Sequence, residues 1–127
     1  MKRDYYDWSE FDKDVKKIAR WARGRKFKNI YGLPRGGLPL AVSLSHGLGL
    51  PLVWDKEKIT DKTLIVDDIA DTGKTLKKML GKKKVSVVTI YLDKQSVFMP
   101  DFHCRLKDGW VVFPWETEQS SKYDKTI

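Results

Sequence analysis

Thr63-Leu64-Ile65-Val66-Asp67-Asp68-Ile69-Ala70-Asp71-Thr72-Gly73-Lys74-Thr75 is the stretch that decides how this chain reads. Its first four residues are a continuous apolar run bounded by aspartates, as expected of a parallel strand covered on both faces. A loop at 70–73 follows, and then a Lys-rich helix ending near Gly81. The loop places threonine hydroxyls and a run of backbone N–H groups at a helix N-terminus, an arrangement that suits a phosphate. A triphosphatase loop would need glycine five positions before the Gly of Gly-Lys-Thr, and position 68 is Asp. The dinucleotide fingerprint fails as well, since Gly32 is followed at position 34 by Pro. Adjacent carboxylates at a strand end can accept hydrogen bonds from vicinal hydroxyls or help hold a hard cation such as Mg²⁺. Asp67, Asp68 and the cradle that follows therefore point to a sugar phosphate, with Asp71 facing whatever the sugar carries.

Outward from this stretch, strands alternate with helices. A helix opens at Ser9, with Ser9 and Asp12 approximating a capping box. Phe11, Val15, Ile18 and Ala22 form its apolar stripe, and Gly24 supplies a stop. Residues 29–33 read as a short buried strand, broken by Pro34-Arg35-Gly36-Gly37 before a small apolar helix that runs through Leu48. Further strands are expected over Pro51 to Trp54, Val85 to Leu92, Asp101 to Leu106 and Trp110 to Phe113. The fold class is α/β, a mainly parallel twisted sheet flanked by helices, in one domain over 1–127 with a flexible tail from 118.

Composition narrows the functional classes. The chain has 127 residues, one Cys and two His, so neither a disulfide framework nor a zinc-finger set is available. No apolar run is long enough to span a bilayer and the acidic, aromatic N-terminus does not read as a signal peptide, so a cytoplasmic protein without membrane contact is expected. The net charge of +8 is concentrated: residues 1–28 carry +5, residues 74–84 carry +6, and the rest −3. Such blocks can attract nucleic acid or anionic metabolites. Solvated helix faces are the plainer reading.

Three segments, in order, carry a family resemblance. Val66-Asp67-Asp68-Ile69-Ala70-Asp71-Thr72-Gly73-Lys74-Thr75 resembles the phosphoribosyl-pyrophosphate (PRPP) motif of type I phosphoribosyltransferases. Tyr31-Gly32-Leu33-Pro34-Arg35-Gly36-Gly37-Leu38 resembles that family's pyrophosphate loop, where relatives often carry a cis peptide at the position of Pro34–Arg35. Trp110-Val111-Val112-Phe113-Pro114-Trp115-Glu116 resembles the base-binding segment of the 6-oxopurine branch, nearest to xanthine-guanine and hypoxanthine enzymes. The resemblance implies transfer of the phosphoribosyl group from PRPP to a purine base, with Mg²⁺ as cofactor. It implies that Arg35, Gly36 and Gly37 bind pyrophosphate, and that Asp67 and Asp68 bind the ribose hydroxyls. Asp71, Thr72, Gly73, Lys74 and Thr75 would bind the 5′-phosphate, and Asp71 would act as general acid/base at N7. Trp110 would stack on the base and the main chain of Val111 would read its edge. Glu116 would approach the 2-position or, with Asp68, a metal. A homodimer or homotetramer is the usual state of such enzymes, and a nucleic-acid partner is not expected of the purine enzymes.

The chain departs from the family pattern twice. Relatives usually carry a long mobile hood between the second and third strands, whereas Asp55 to Lys62 is eight residues, a minimal hood. Relatives also place a lysine shortly after the fourth strand to donate to the 6-oxo group. Asp93 stands there in an ungapped reading and Lys94 one place later, so Lys94 is the base-binding lysine expected from sequence. Cys104, His103 and His46 read as packing or capping residues, and Trp8, Trp21 and Trp54 as core or subunit contacts. Two other functions stay open at this point: a PRPP- or nucleotide-sensing regulator of the same fold that binds nucleic acid, and a transferase acting on another base.

Overall fold

The computed structural model describes residues 2–117 and 119–120; apart from Gln119 and Ser120, the expected tail over 118–127 lies outside the described residues. Helix α1 (Trp8–Ala22) begins where Asp7 accepts the Glu10 amide at 2.7 Å and Glu10 accepts the Asp7 amide at 3.3 Å. This reciprocal box replaces the Ser9–Asp12 box expected from sequence, because Asp7 has a glutamate at its N3 position and Ser9 already lies inside the helix. Arg23 and Gly24, the latter at φ 87°, end α1 as expected. The stripe buries Phe11, Ile18 and Ala22 and half-buries Val15, and it also buries Asp14.

The remaining elements are β1 (Arg3–Tyr5), β2 (Asn29–Gly32), α2 (Leu38–Leu48), β3 (Thr63–Ala70), α3 (Lys74–Leu80), β4 (Ser86–Leu92), β5 (Phe102–Leu106) and β6 (Trp110–Val112). Strands β2-β3-β4-β5 form a parallel sheet in that order, and β1 pairs with β6, also in parallel, in a separate two-stranded sheet. Strand β1 gave no sequence signal, since three charged and aromatic residues show no apolar alternation. The strand expected over Pro51 to Trp54 shrinks to one parallel bridge between Leu52 and Ile30. Pro51 has no N–H to donate, and Trp54 is 71% exposed, so it is not a core residue either. Asp55 to Lys62 contains only a short turn of 3₁₀ helix at Lys56–Lys58.

Strand β3 is four residues longer than its apolar run. Ile69 pairs with Tyr91 and Ala70 with Leu92, so the aspartates 67 and 68 lie within the ladder rather than at the strand end, and Ala70 belongs to the strand rather than the loop. Its first four residues are buried on both faces. Leu64 and Val66 join Val88, Ile90 and the apolar sides of α1 and α2, while Ile65 joins Val87, Leu76 and Leu80 of α3.

With the Leu52 bridge counted, the segment 51–53 flanks β2 on the side away from β3. The chain therefore leaves β2 in one direction, returns past it, and continues the sheet in the other. In open parallel sheets, ligands bind beyond the carboxyl ends of the strands at such a switch point. Here it lies between β2 and β3, where the Pro34–Gly37 loop and the aspartates emerge.

Candidate active site

The loop after β2 is held against β3 by backbone contacts. The Leu33 amide donates to the Val66 carbonyl at 2.9 Å, and the Gly37 amide to the Leu33 carbonyl at 2.8 Å. The Pro34–Arg35 peptide is cis. Gly36 is a position of close approach, because a Cβ there would run into the Asp68 carboxylate. Arg35 Nη2 donates to the Ser120 carbonyl at 2.7 Å, which ties Ser120 to the loop after β2.

Asp67 and Asp68 are consecutive in a strand, so their side chains leave on opposite faces. Asp68 lines a cavity of about 590 Å³ together with Arg35, Gly36, Trp115 and Glu116. Asp67 lines a separate cavity of about 100 Å³ with Asp71, Thr72, Gly73 and Thr75. Arg35 and Gly36 thus line one hollow and Asp71, Thr72, Gly73 and Thr75 the other, Gly37 and Lys74 line neither, and the two aspartates expected together at the ribose are divided between them. Trp8, 56% exposed, borders the larger hollow. Trp21 stacks on Phe102 at 5.4 Å between ring centres, the packing role expected of it.

The phosphate cradle takes its shape from Gly73, whose φ of 77° is left-handed and favours glycine. A Cβ at Gly73 would also meet the Phe98 amide at 2.6 Å. The connection from β4 to β5 lies across this turn, with the Val97 amide donating to the Thr72 carbonyl at 2.7 Å. Thr72 Oγ1 accepts the Lys74 amide at 3.3 Å.

The same connection brings a charged cluster to Asp71. Lys107, just past β5, donates from Nζ to Asp71 Oδ1 at 3.1 Å and stands 3.6 Å from Asp93 Oδ2. The Gln95 side-chain amide reaches both carboxylates, at 3.4 and 3.3 Å, and its backbone N–H donates to Asp93 at 3.0 Å. The Gln95 backbone amide first, and then the Lys107 ammonium, hold the Asp93 carboxyl below its ordinary value. Lys107 also lies 5.8 Å from the centre of the Trp110 ring, which is 40% exposed. Lys94, the lysine expected at the base, is exposed, and its charge bears on Asp108 instead.

Sequence reasoning missed Lys107. Parallel pairing of β4 with β5 sets Leu92 opposite Leu106, so the next residues, Asp93 and Lys107, emerge side by side. The two predicted strands already ended at 92 and 106, and comparing those ends was the available signal. Glu116 Oε1 accepts the Phe113 amide at 2.9 Å and closes the turn that carries Trp115 onto Phe113, the rings stacked at 4.9 Å. Burial and the nearby Asp14 push the Cys104 thiol up to about 12, which suits a packing residue rather than a nucleophile.

The donor set around Asp68 and Glu116 is carboxylate oxygen, which suits a hard cation. Among the described residues no three His, Cys, Asp or Glu side chains converge on one point. Mg²⁺ ordinarily takes only one or two protein carboxylates, the remaining ligands coming from substrate phosphates and water, so the hollow lined by Asp68, Arg35 and Glu116 fits it. No helix among the described residues is long and apolar enough to cross a membrane.

No protein-family model matches the chain. It is 28% identical, over 88% of its length and 86% of the other protein, to a xanthine-guanine phosphoribosyltransferase of Idiomarina loihiensis. The fold is similar to that of the Helicobacter pylori xanthine-guanine-hypoxanthine phosphoribosyltransferase, with a TM-score of 0.76 at 18% identity, covering 98% of this chain and 99% of that one. The purine phosphoribosyltransferase of Pyrococcus horikoshii superposes with a TM-score of 0.78 and is 32% identical, over 92% of this chain and 96% of the archaeal enzyme. Likeness of that extent, on a sheet whose switch point gathers the residues the motifs singled out, makes this chain a member of the purine branch of the type I phosphoribosyltransferases.

Proposed function

We propose that this pentosyltransferase moves the 5-phosphoribosyl group from PRPP to a 6-oxopurine (hypoxanthine, guanine or xanthine) with Mg²⁺, releasing the nucleoside 5′-monophosphate and pyrophosphate. The observation that carries the reading is the position of Asp71. It borders the phosphate cradle on one side and is bonded on the other to Lys107, which lies beside Trp110. A phosphate and a planar base can therefore be held on either side of one carboxylate.

In this reading the amides of residues 72–75 hold the 5′-phosphate, and Lys74 adds charge at the cradle. Arg35 and the amides of Gly36 and Gly37 hold the pyrophosphate, Arg35 exchanging the Ser120 carbonyl for an anionic oxygen. Asp67 and Asp68 take the ribose hydroxyls from the two sides of β3. Trp110 stacks on the base and the Val111 main chain meets its edge. Asp68, with Glu116, would hold Mg²⁺, which when bound supplies positive charge to the leaving pyrophosphate.

As C1′ loses its bond to the pyrophosphate oxygen, positive charge grows on the ribose and negative charge on the leaving group. The fixed amides, and Arg35 once it has exchanged the Ser120 carbonyl for the bound anion, stabilise the latter in place. N9 of the base forms the new bond to C1′, and the proton the base carries on N7 passes to the Asp71 carboxylate. The test is a panel of free bases (hypoxanthine, guanine, xanthine, adenine and uracil) with PRPP, with and without chelator, reading nucleotide by chromatography. Turnover of 6-oxopurines that chelator abolishes is expected. Turnover of adenine or uracil alone would overturn the reading.

A further inference from the structure

We infer that Lys107, reaching the site from the end of β5, is the residue that reads the 6-oxo group of the base, and that Asp93 positions it. The inference rests on the 6-oxopurine reading above. Lys107 is anchored by its own backbone, the amide donating to the Leu92 carbonyl at 2.8 Å, so its side chain starts level with the end of β4. That side chain is only 17% exposed, yet its ammonium ends against the 47%-exposed Asp71 carboxylate at 3.1 Å. A largely buried stem with its charge delivered to a half-open carboxylate is a group held toward a ligand space. Trp110, whose ring lies 5.8 Å from the same ammonium, gives that space a flat wall.

The chemistry of the pair matches one edge of a purine. N7 and the 6-oxo oxygen of a 6-oxopurine are neighbours on that edge, and a lysine can serve the oxygen there. An ammonium is a donor only. Lys107 beside Asp71 therefore presents a fixed donor next to the group that handles the N7 proton. A 6-amino group would face donor with donor, so the same lysine that favours an oxo group opposes adenine. Asp93 accepts the Gln95 amides and lies 3.6 Å from Lys107, a second counter-charge beside Asp71 that restrains the ammonium. Position 93, where the sequence comparison would place the lysine, thus holds the counter-charge, and the lysine comes from the neighbouring strand. Lys94, exposed on the turn, has no such restraint.

The test compares wild type with Lys107→Met, Lys94→Met and Asp93→Asn in steady-state assays on hypoxanthine and on adenine, with KM measured separately for PRPP. Lys107→Met should lower kcat/KM for hypoxanthine on the order of 10- to 100-fold, the worth of a charged hydrogen bond. It should leave KM for PRPP within about twofold and narrow the preference for hypoxanthine over adenine by a similar factor. Asp93→Asn should shift KM for hypoxanthine in the same direction by less, and Lys94→Met should change nothing. If Lys107 served only to tether Asp71, its loss would slow both bases equally and leave the preference intact; that result would overturn the inference, as would loss of preference in Lys94→Met. Wild type that turns over no 6-oxopurine would remove the parent reading instead, and the inference with it. Thermal melts of each variant separate these effects from misfolding.

Discussion

Two basic side chains near the end of β5, Arg105 and Lys107, each gather two carboxylates, yet one cluster is closed and the other open. Arg105 donates to Asp14 at 2.7 Å and to Glu10 at 2.9 Å, its guanidinium lies 5.2 Å from the Tyr6 ring centre, and the Tyr6 hydroxyl donates to the same Asp14 oxygen at 2.6 Å. Asp14 is wholly buried. This cluster ties α1 to the sheet, with both of the Asp14 contacts made to protein groups. Around Lys107, Asp71 keeps half of its side chain at the surface beside the phosphate cradle. Similar charges two residues apart thus do different work, and what separates them is whether the carboxylate is buried by protein or left facing a hollow.

The comparison can be broken in either direction. Asp71→Asn should reduce kcat by about 10²- to 10⁴-fold, the range of general acid–base catalysis. Its melting temperature should stay close to wild type, since the site is half exposed; a large loss of stability would make the open cluster structural after all. Asp14→Ala should do the reverse. It leaves Arg105 without its buried partner at a cost of about 3 kcal/mol, the low end for a broken buried pair because Arg105 is partly exposed. Urea unfolding checks this, with kcat expected unchanged in the folded fraction.

A finer probe is Tyr6→Phe, which removes one donor from Asp14 and should cost about 1–2 kcal/mol with no effect on turnover. The smallest effect at neutral pH concerns the buried groups beside this cluster. Burial, with the Asp14 carboxylate, raises the Tyr6 phenol, and burial pushes the Cys104 thiol up to about 12 from 9.0. A folded-state value above the unfolded one means stability that is intact below the unfolded value and lost as pH rises through the folded one. The urea midpoint should be flat from pH 7 to about 9 and fall from there toward 12. Cys104→Ala should remove part of that slope. In the folded protein at pH 8, iodoacetamide should label Cys104 far more slowly than after unfolding.

Much of the site was legible from local sequence. The apolar run before Asp67, the break at Pro34-Arg35-Gly36-Gly37 and the turn ahead of the Lys-rich helix each depend on a few consecutive residues, and the structure has the buried start of β3, the gap between β2 and α2 and the turn before α3 in those places. The helix start at Asp7 was misread by two residues because two acidic boxes overlap and only side-chain geometry chooses between them. Strand β3 was read too short, since charged residues end an apolar pattern but do not end a ladder when the neighbouring strand continues. Trp54 and the segment 51–53 were overread because apolar residues at a sheet edge look the same in sequence as those in its centre.

The sequence by itself determined that this is an α/β chain, and it picked out Asp67 to Thr75 and Tyr31 to Leu38 as the stretches that carry the family resemblance, because these are written in contiguous motifs. Only the tertiary structure decided which charges meet. The pairing of residues 3–5 with 110–112 and the meeting of Asp71 with Lys107, 36 residues away, follow from strand order and parallel register, and the burial of Asp14 against Arg105 follows from the packing of α1 on β5. Register aligns residues distant in the chain through backbone bonds, so a meeting such as that of Asp71 with Lys107 shows in the sequence only when the ends of paired strands are compared. In this enzyme that register brings a lysine from β5 to the carboxylate at the end of β3.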